Sequence, residues 1–184
     1  MKNHLAKFFI LAILLISVSS CKKLVDTFFA GETVALSPFT MTVPAILFAD
    51  STQEINAGSF TTYINVDSTI RANTNGLFGI KDVSTITVKQ ITISVTNADE
   101  ANNLSSFKSF RITISSNNNT TVSDMLDVNI PAYVTTTYTE SPSNPTNIVG
   151  YMQGNTINNS IYGAARSTTT KSLNVVAVIT LFAK

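Results

Sequence analysis

The one thiol and the one imidazole of this chain lie near its start, at Cys21 and His4, and tryptophan is absent. From residue 22 to Lys184 there is therefore no histidine, cysteine or indole. A Ser-His-Asp triad or a Cys-His pair cannot be assembled there, because the usual base and the strongest nucleophile are missing. A zinc site built from His and Cys is excluded on the same ground, and so is an internal disulfide. Carboxylates are what remain. The local pairs are Asp50 with Glu54, Asp99 with Glu100, and Asp124 with Asp127. A glycosidase holds two carboxylates about 5–10 Å apart across a cleft, and any of these pairs could meet that spacing in three dimensions. Sugar clefts usually add aromatic platforms, and the lack of tryptophan counts against one. We expect solvated turn and strand-end acids and no enzyme, with a carboxylate-dependent glycan hydrolase as the alternative. Asn97-Ala98-Asp99-Glu100-Ala101-Asn102-Asn103 also gathers the oxygen ligands that calcium accepts. The spacing is not that of an EF-hand, and turns choose the same residues. If calcium binds for glycan recognition or adhesion, Asp99 is the first residue to test. No other cofactor is expected, and no catalytic residue or metal ligand is assigned.

Cys21 has its own context. Met1 to Lys7 is a short basic leader, Phe8 to Ile16 is an apolar run, and Ser17-Val18-Ser19-Ser20 precedes the cysteine. A cationic segment, an apolar segment and a small-residue zone make a secretory signal peptide. The run falls far short of the roughly 20 residues that span a bilayer. Val18-Ser19-Ser20-Cys21 resembles the bacterial lipobox. The resemblance implies cleavage after Ser20, a diacylglyceryl group on the Cys21 thiol and acylation of the new amine. Each buried methylene contributes about 0.8 kcal/mol, so two or three chains would anchor the protein durably where one would not. The expected divisions are a signal peptide over residues 1–20, a lipidated tether over 21–37 and a folded domain over 38–184.

Charge narrows the partners. The chain carries a net charge of +1, and losing Lys2 and Lys7 with the leader makes the remainder about neutral or slightly acidic. Nucleic-acid binding needs clustered Lys and Arg to neutralise phosphates. No such stripe is present, so nucleic acid is discounted. Lys22 and Lys23 follow the anchor site and read as a solvated pair beside a membrane.

The elements that would position any site are strands. Phe39-Thr40-Met41-Thr42-Val43 alternates with period two within a segment expected over 39–48, and 59–66 places Phe60, Thr62, Ile64 and Val66 on one face. Over 85–96 the apolar phase shifts between Val88 and Ile91, which predicts a β-bulge at Lys89-Gln90. Residues 108–116 carry Phe110, Ile112 and Ile114. The Asn117-Asn118-Asn119 loop then leads to 121–130, where Asp124 falls on the face of Val122, Leu126, Val128 and Ile130 and so suggests an edge. Tyr133 to Thr139 resumes the ladder after Pro131, with Tyr133 and Tyr138 facing opposite ways. Residues 157–166 and 172–183 read as a final pair turning near Thr169-Thr170. The last strand is apolar on both faces, which suggests a central position. Asp67–Ala72 and Asn147–Met152 look like short helical turns. The fold class expected is all-β: an antiparallel β-sandwich, jelly-roll or Ig-like, of about eight strands with one or two short helical turns.

The lipobox leader, the basic pair after the cysteine, Ile86-Thr87-Val88-Lys89-Gln90-Ile91-Thr92-Ile93, and Asn102-Asn103-Leu104-Ser105-Ser106-Phe107 feeding Lys108-Ser109-Phe110-Arg111-Ile112-Thr113-Ile114 together resemble small β-sandwich lipoproteins of the Bacteroidota. The resemblance implies the cell envelope and gives no activity. In that group surface export is associated with acids soon after the cysteine, and Lys22-Lys23-Leu24-Val25-Asp26 has one. Lys22 also departs from the aspartate that favours inner-membrane retention in some bacteria. The resemblance therefore implies an outer-membrane lipid anchor with the domain facing the periplasm. The expected function is a non-enzymatic binding or structural module whose partner is an envelope protein or a glycan.

Overall fold

Period-two alternation with β-branched residues dictates extended chain whose apolar face needs cover. The computed structural model, which describes residues 30–184, provides that cover by packing two antiparallel sheets face to face. The strands are β1 (Glu32–Ala35), β2 (Phe39–Val43), β3 (Glu54–Tyr63), β4 (Ile86–Val95), β5 (Phe107–Ser116), β6 (Ser123–Asn129), β7 (Thr137–Glu140), β8 (Thr156–Ala165) and β9 (Leu173–Ala183). In one sheet β9 lies between β4 and the successive strands β1 and β2, and β7 is the outer neighbour of β4. The other sheet runs β3-β8-β5-β6. With β1 and β2 read as one interrupted strand, this order is that of a jelly roll: an eight-stranded double sheet wound from two Greek keys. The all-β antiparallel sandwich is therefore the fold, in its jelly-roll form.

The core lies between the sheets. Ile86, Val88, Ile91, Ile93 and Val95 of β4 and Leu173, Val175, Ala177, Ile179 and Leu181 of β9 are buried, as are Phe110, Ile112 and Ile114 of β5. The pairing of β4 with β9 steps from Val88–Leu181 to Gln90–Thr180, so the bulge stands at Lys89 and keeps all five apolar residues of β4 inward. Opposite them, the Phe107 and Phe110 rings sit 4.6 Å apart, and a methyl group on Gly163 would come within 3.3 Å of Phe110. The glycine lets the aromatic pair lie close to the β8 backbone.

Several expectations need correction. The tether does not extend to residue 37, because Glu32–Ala35 pairs with Ala183–Thr180 and buries Val34. The strand expected over 39–48 stops at Val43, where Pro44 follows. Residues 157–166 and 172–183 are not a pair. β8 belongs to one sheet and β9 to the other, and the segment between them crosses the end of the sandwich. The inner face of β9 is wholly apolar and that of β8 is apolar apart from Asn159, and the two faces cover one another across the core. Asp124 does not lie on the apolar face. Ile112 pairs with Leu126 while Thr113 pairs with Asp124, so Met125 is bulged and both acids of β6 point outward. The edge position of β6 stands. The ladder resumes at Thr137, and Tyr133 belongs to the preceding turn. Both helical turns form, as α1 (Val66–Asn73), capped by Asn65, and α2 (Val149–Met152).

The chain enters at one end of the sandwich, beside Ala183. The connections 64–85, 117–122 and 141–155 lie at this entry end, and 44–53, 96–106, 130–136 and 166–172 lie at the far end.

Candidate functional site

Loops on a rigid scaffold are where binding residues concentrate, and the four far-end loops are tied to one another. Ile46 N–H donates to Thr169 Oγ1 (2.9 Å) and Thr169 N–H to the Ile46 carbonyl (3.0 Å), joining 44–53 to 166–172. Thr170 N–H donates to Asn102 Oδ1 (2.7 Å) and Lys171 Nζ lies 2.6 Å from Asp99 Oδ2, joining 166–172 to 96–106. Leu104 N–H donates to the Thr135 carbonyl (2.7 Å), joining 96–106 to 130–136. Arg166 reaches the carbonyls of Ser105 (2.8 Å) and Ile130 (2.6 Å). Asn102, Asn103 and Thr169 are buried within this lattice. Polar groups that are buried and satisfied in this way fix loop conformation.

On this frame stand side chains that water does not favour. Phe48 is 90% exposed, Leu47 74% and Tyr133 84%. Phe48, Asp50, Gln53, Ile55 and Ala165 line a concavity of about 300 Å³. Asp50 Oδ1 accepts from the Thr52 hydroxyl (2.6 Å) and Thr52 N–H (2.8 Å), and these bonds hold its carboxyl below the usual range. The arrangement offers an aromatic face, an ionised acceptor and an amide within one hollow.

The acids that the sequence singles out are dispersed. Asp50 is at the far end, while Glu54 opens β3 and turns to Arg111 (2.7 Å). Asp99 is a joint of the lattice: Oδ1 accepts from Ala101 N–H, Asn102 N–H and Asn102 Nδ2, and Oδ2 faces Lys171. The Lys171 contact, then the Asn102 bonds, lower its pKa from 3.8 to about 2. Calcium at Asp99 would have to displace Lys171, and among the described residues no group of three or more His, Cys, Asp or Glu is placed to hold a metal. Glu100 lines a neighbouring hollow of about 270 Å³ with Asp99 and Thr135.

Asp124 and Asp127 do come together, on the outer face of the second sheet. Arg111 bonds Asp124 (2.8 Å) as well as Glu54 and lies 4.4 Å from the Tyr162 ring centroid. Burial and the charge of Asp124 raise the pKa of Asp127. Both acids border a cleft of about 220 Å³ with Glu140 and Pro142 to Thr146. Glu140 Oε2 is buried there and makes no hydrogen bond with the described residues.

The sequence assigns no role to Phe48, Arg111 or Arg166, and it offers Asn102 as an oxygen ligand in a calcium loop where the structure makes it a buried brace to Thr170. Pro44 is the signal that could have moved Phe48 from strand to loop. Tyr138 and Tyr151 are half-buried against the core. Cys21, with the leader and the tether up to residue 29, lies outside the described residues.

The fold and this end define a jelly-roll sandwich carrying a braced loop platform. No family model matches the chain, and no curated protein is similar to it in sequence. Among solved structures it is similar to the family 32 carbohydrate-binding module of C. perfringens NanJ in complex with galactose, at 10% identity and a TM-score of 0.35, over 80% of this chain and 99% of that one. It is also similar to the Drosophila NLP core (9%, TM-score 0.29, 78% and 94%) and to the STIV MCP (11%, TM-score 0.32, 81% and 41%). These likenesses concern the fold alone and carry no argument about ligands.

Proposed function

We propose that this protein is a lipid-anchored binding module of the bacterial cell envelope. Acyl chains on Cys21 hold it in the outer membrane with the domain facing the periplasm, and it takes a glycan at the Phe48 hollow. The observation that carries the reading is a 90%-exposed aromatic ring beside Asp50 and Gln53 on loops that are braced before any ligand arrives. An aromatic face packs against the apolar side of a sugar ring while carboxylate and amide take its hydroxyls. The far-end position also keeps the hollow clear of the anchor. A glycan array followed by calorimetry tests it. Phe48→Ala should lose binding at least tenfold with little change in unfolding midpoint, and retention of binding by that variant would refute the site. Palmitate labelling of the native protein, absent in Cys21→Ser, tests the anchor.

A second reading is favoured by one observation. Asp127, its pKa raised, stands beside ion-paired Asp124 in the side cleft, and carboxylates pushed apart in pKa are how acid and base are divided. Release of reducing sugar from envelope glycans, abolished by Asp127→Asn, would establish that hydrolase.

A further inference from the structure

The end where the chain enters carries a second set of exposed apolar side chains. Tyr63 closes β3, Leu77 lies in the connection from β3 to β4, and Val122 precedes β6. They are 83%, 77% and 64% exposed. β3 and β6 are opposite edges of one sheet with β8 and β5 between them. Three strand spacings of about 4.8 Å place Tyr63 and Val122 roughly 14 Å apart. Leu77 is held out by the close of α1. Asn75 (φ 51°) and Gly76 (φ 78°) are left-handed, Gly76 N–H donates to the Arg71 carbonyl (2.7 Å) and Leu77 N–H to the Thr74 carbonyl (3.0 Å). The position from which a helix closed in this way makes its apolar contact with the last turn is taken by Gly76, which has no side chain, and Leu77 just beyond it faces solvent.

We propose that this end seats on the lipid bilayer, with Tyr63, Leu77 and Val122 as three apolar feet in the headgroup region. The proposal rests on the anchor at Cys21. Ala30, the first described residue, lies nine positions beyond Cys21. At a maximum of about 3.5 Å per residue the domain stays within roughly 32 Å of the anchoring acyl group. Confinement of that kind gives a weak interfacial affinity a high effective concentration. Tyrosine suits the interface, with an apolar body and a polar tip. At this end Arg71, Lys81 and Lys184 stand against Glu32, Asp67 and Asp82. The seat is therefore apolar and insensitive to salt. Leu47, Phe48 and Tyr133 have similar chemistry, but the length of the strands keeps them from the surface, which makes them an internal control.

The test uses two features of the sequence. With no tryptophan present, Leu77→Trp and Phe48→Trp each create a single reporter. With Cys21 the only thiol, the chain from residue 21 onward can be coupled to a maleimide lipid in vesicles of phosphatidylethanolamine and phosphatidylglycerol, whether or not cells acylate it. Brominated lipids should quench the indole emission of the Leu77→Trp variant at least twofold, with a blue shift, and leave that of the Phe48→Trp variant unchanged. The quenching in Leu77→Trp should persist in 0.5 M salt and disappear in a Tyr63→Ser, Val122→Ser background. Equal quenching of the two reporters, or none of either, overturns the seat. So does a blue shift in Leu77→Trp that depends on protein concentration without lipid, which would mean that a second copy covers this end. If Leu77→Trp fails to fold, Tyr63→Trp replaces it. Palmitate labelling in cells is read separately: its absence sinks the anchor, while the vesicle result still decides whether this end binds lipid.

Discussion

Deleting Lys89 should leave the sandwich almost as stable as before, whereas deleting Thr92, three residues on in the same strand, should come close to unfolding it. Lys89 is the extra residue of the β4 bulge. Without it, Ile86, Val88, Ile91, Ile93 and Val95 alternate with polar residues in unbroken period two, and every partner on β9 is kept. What is lost is an exposed bond from Lys89 Nζ to Thr33 Oγ1 (3.1 Å) and a contact 6.0 Å from the Phe182 ring centroid, together worth about 1 kcal/mol or less. Deleting Thr92 offers two outcomes. Either Ile93 and Val95 turn outward, at about 1.5–3 kcal/mol each, or the bulge closes and Ile91 turns outward while the Gln90 amide enters the core. Both cost roughly 3–6 kcal/mol. With a urea m-value of about 2 kcal/mol/M, the midpoint should fall by roughly 1.5–3 M for the Thr92 deletion and by about 0.5 M or less for the Lys89 deletion. Equilibrium unfolding followed by circular dichroism measures both. Costs equal within about 0.5 kcal/mol would refute the claim that face parity holds β4 in register.

Asn102→Ala should cost about 1–3 kcal/mol, since a buried amide with bonds to Asp99 and Thr170 is lost; urea unfolding checks the stability, and calorimetry should show weaker glycan binding because the platform loosens. The depressed pKa of Asp99 means its contribution is present above the ordinary value of 3.8 and disappears as pH falls through about 2. Stability measured from pH 5 to pH 2 should therefore decline less steeply in Asp99→Asn than in the parent. Asp127 has the opposite sign: with its pKa raised, the fold favours the protonated form and loses stability as pH rises through that value. Asp127→Asn should be the more stable protein at pH 7 by thermal unfolding, with the difference shrinking toward pH 3.

Much of the fold was legible because one face of each strand is buried and parity is strict. The apolar phase shift in β4 located its bulge, and the all-apolar β9 located the centre of its sheet. β6 was misread for the reverse reason: its bulge at Met125 changes face inside an apolar pair, Met125-Leu126, where no polar residue marks the slip. β1 was hidden because four residues with one buried side chain, Val34, carry too little pattern. The last two strands look like a hairpin in the sequence because a seven-residue connection fits a hairpin as well as a passage between sheets, and only the need of two largely apolar faces for mutual cover separates them. Of the site, the polar turn around Asp99 was visible. Its bond to Lys171 depends on loops distant in sequence, and Phe48 was disguised as the end of a strand.

The pairing of β1 and β2 along β9 has a mechanical side. If the polypeptide is fastened at its start and a partner pulls on the opposite loops, tension runs parallel to the strands. Hydrogen bonds in an antiparallel ladder lie across that direction, so those between Glu32–Val43 and Leu173–Ala183 are loaded together in shear instead of parting one at a time. A domain strung this way should yield at high force, while one pulled from Lys184 against the start would unzip at the first pair, Glu32 with Ala183.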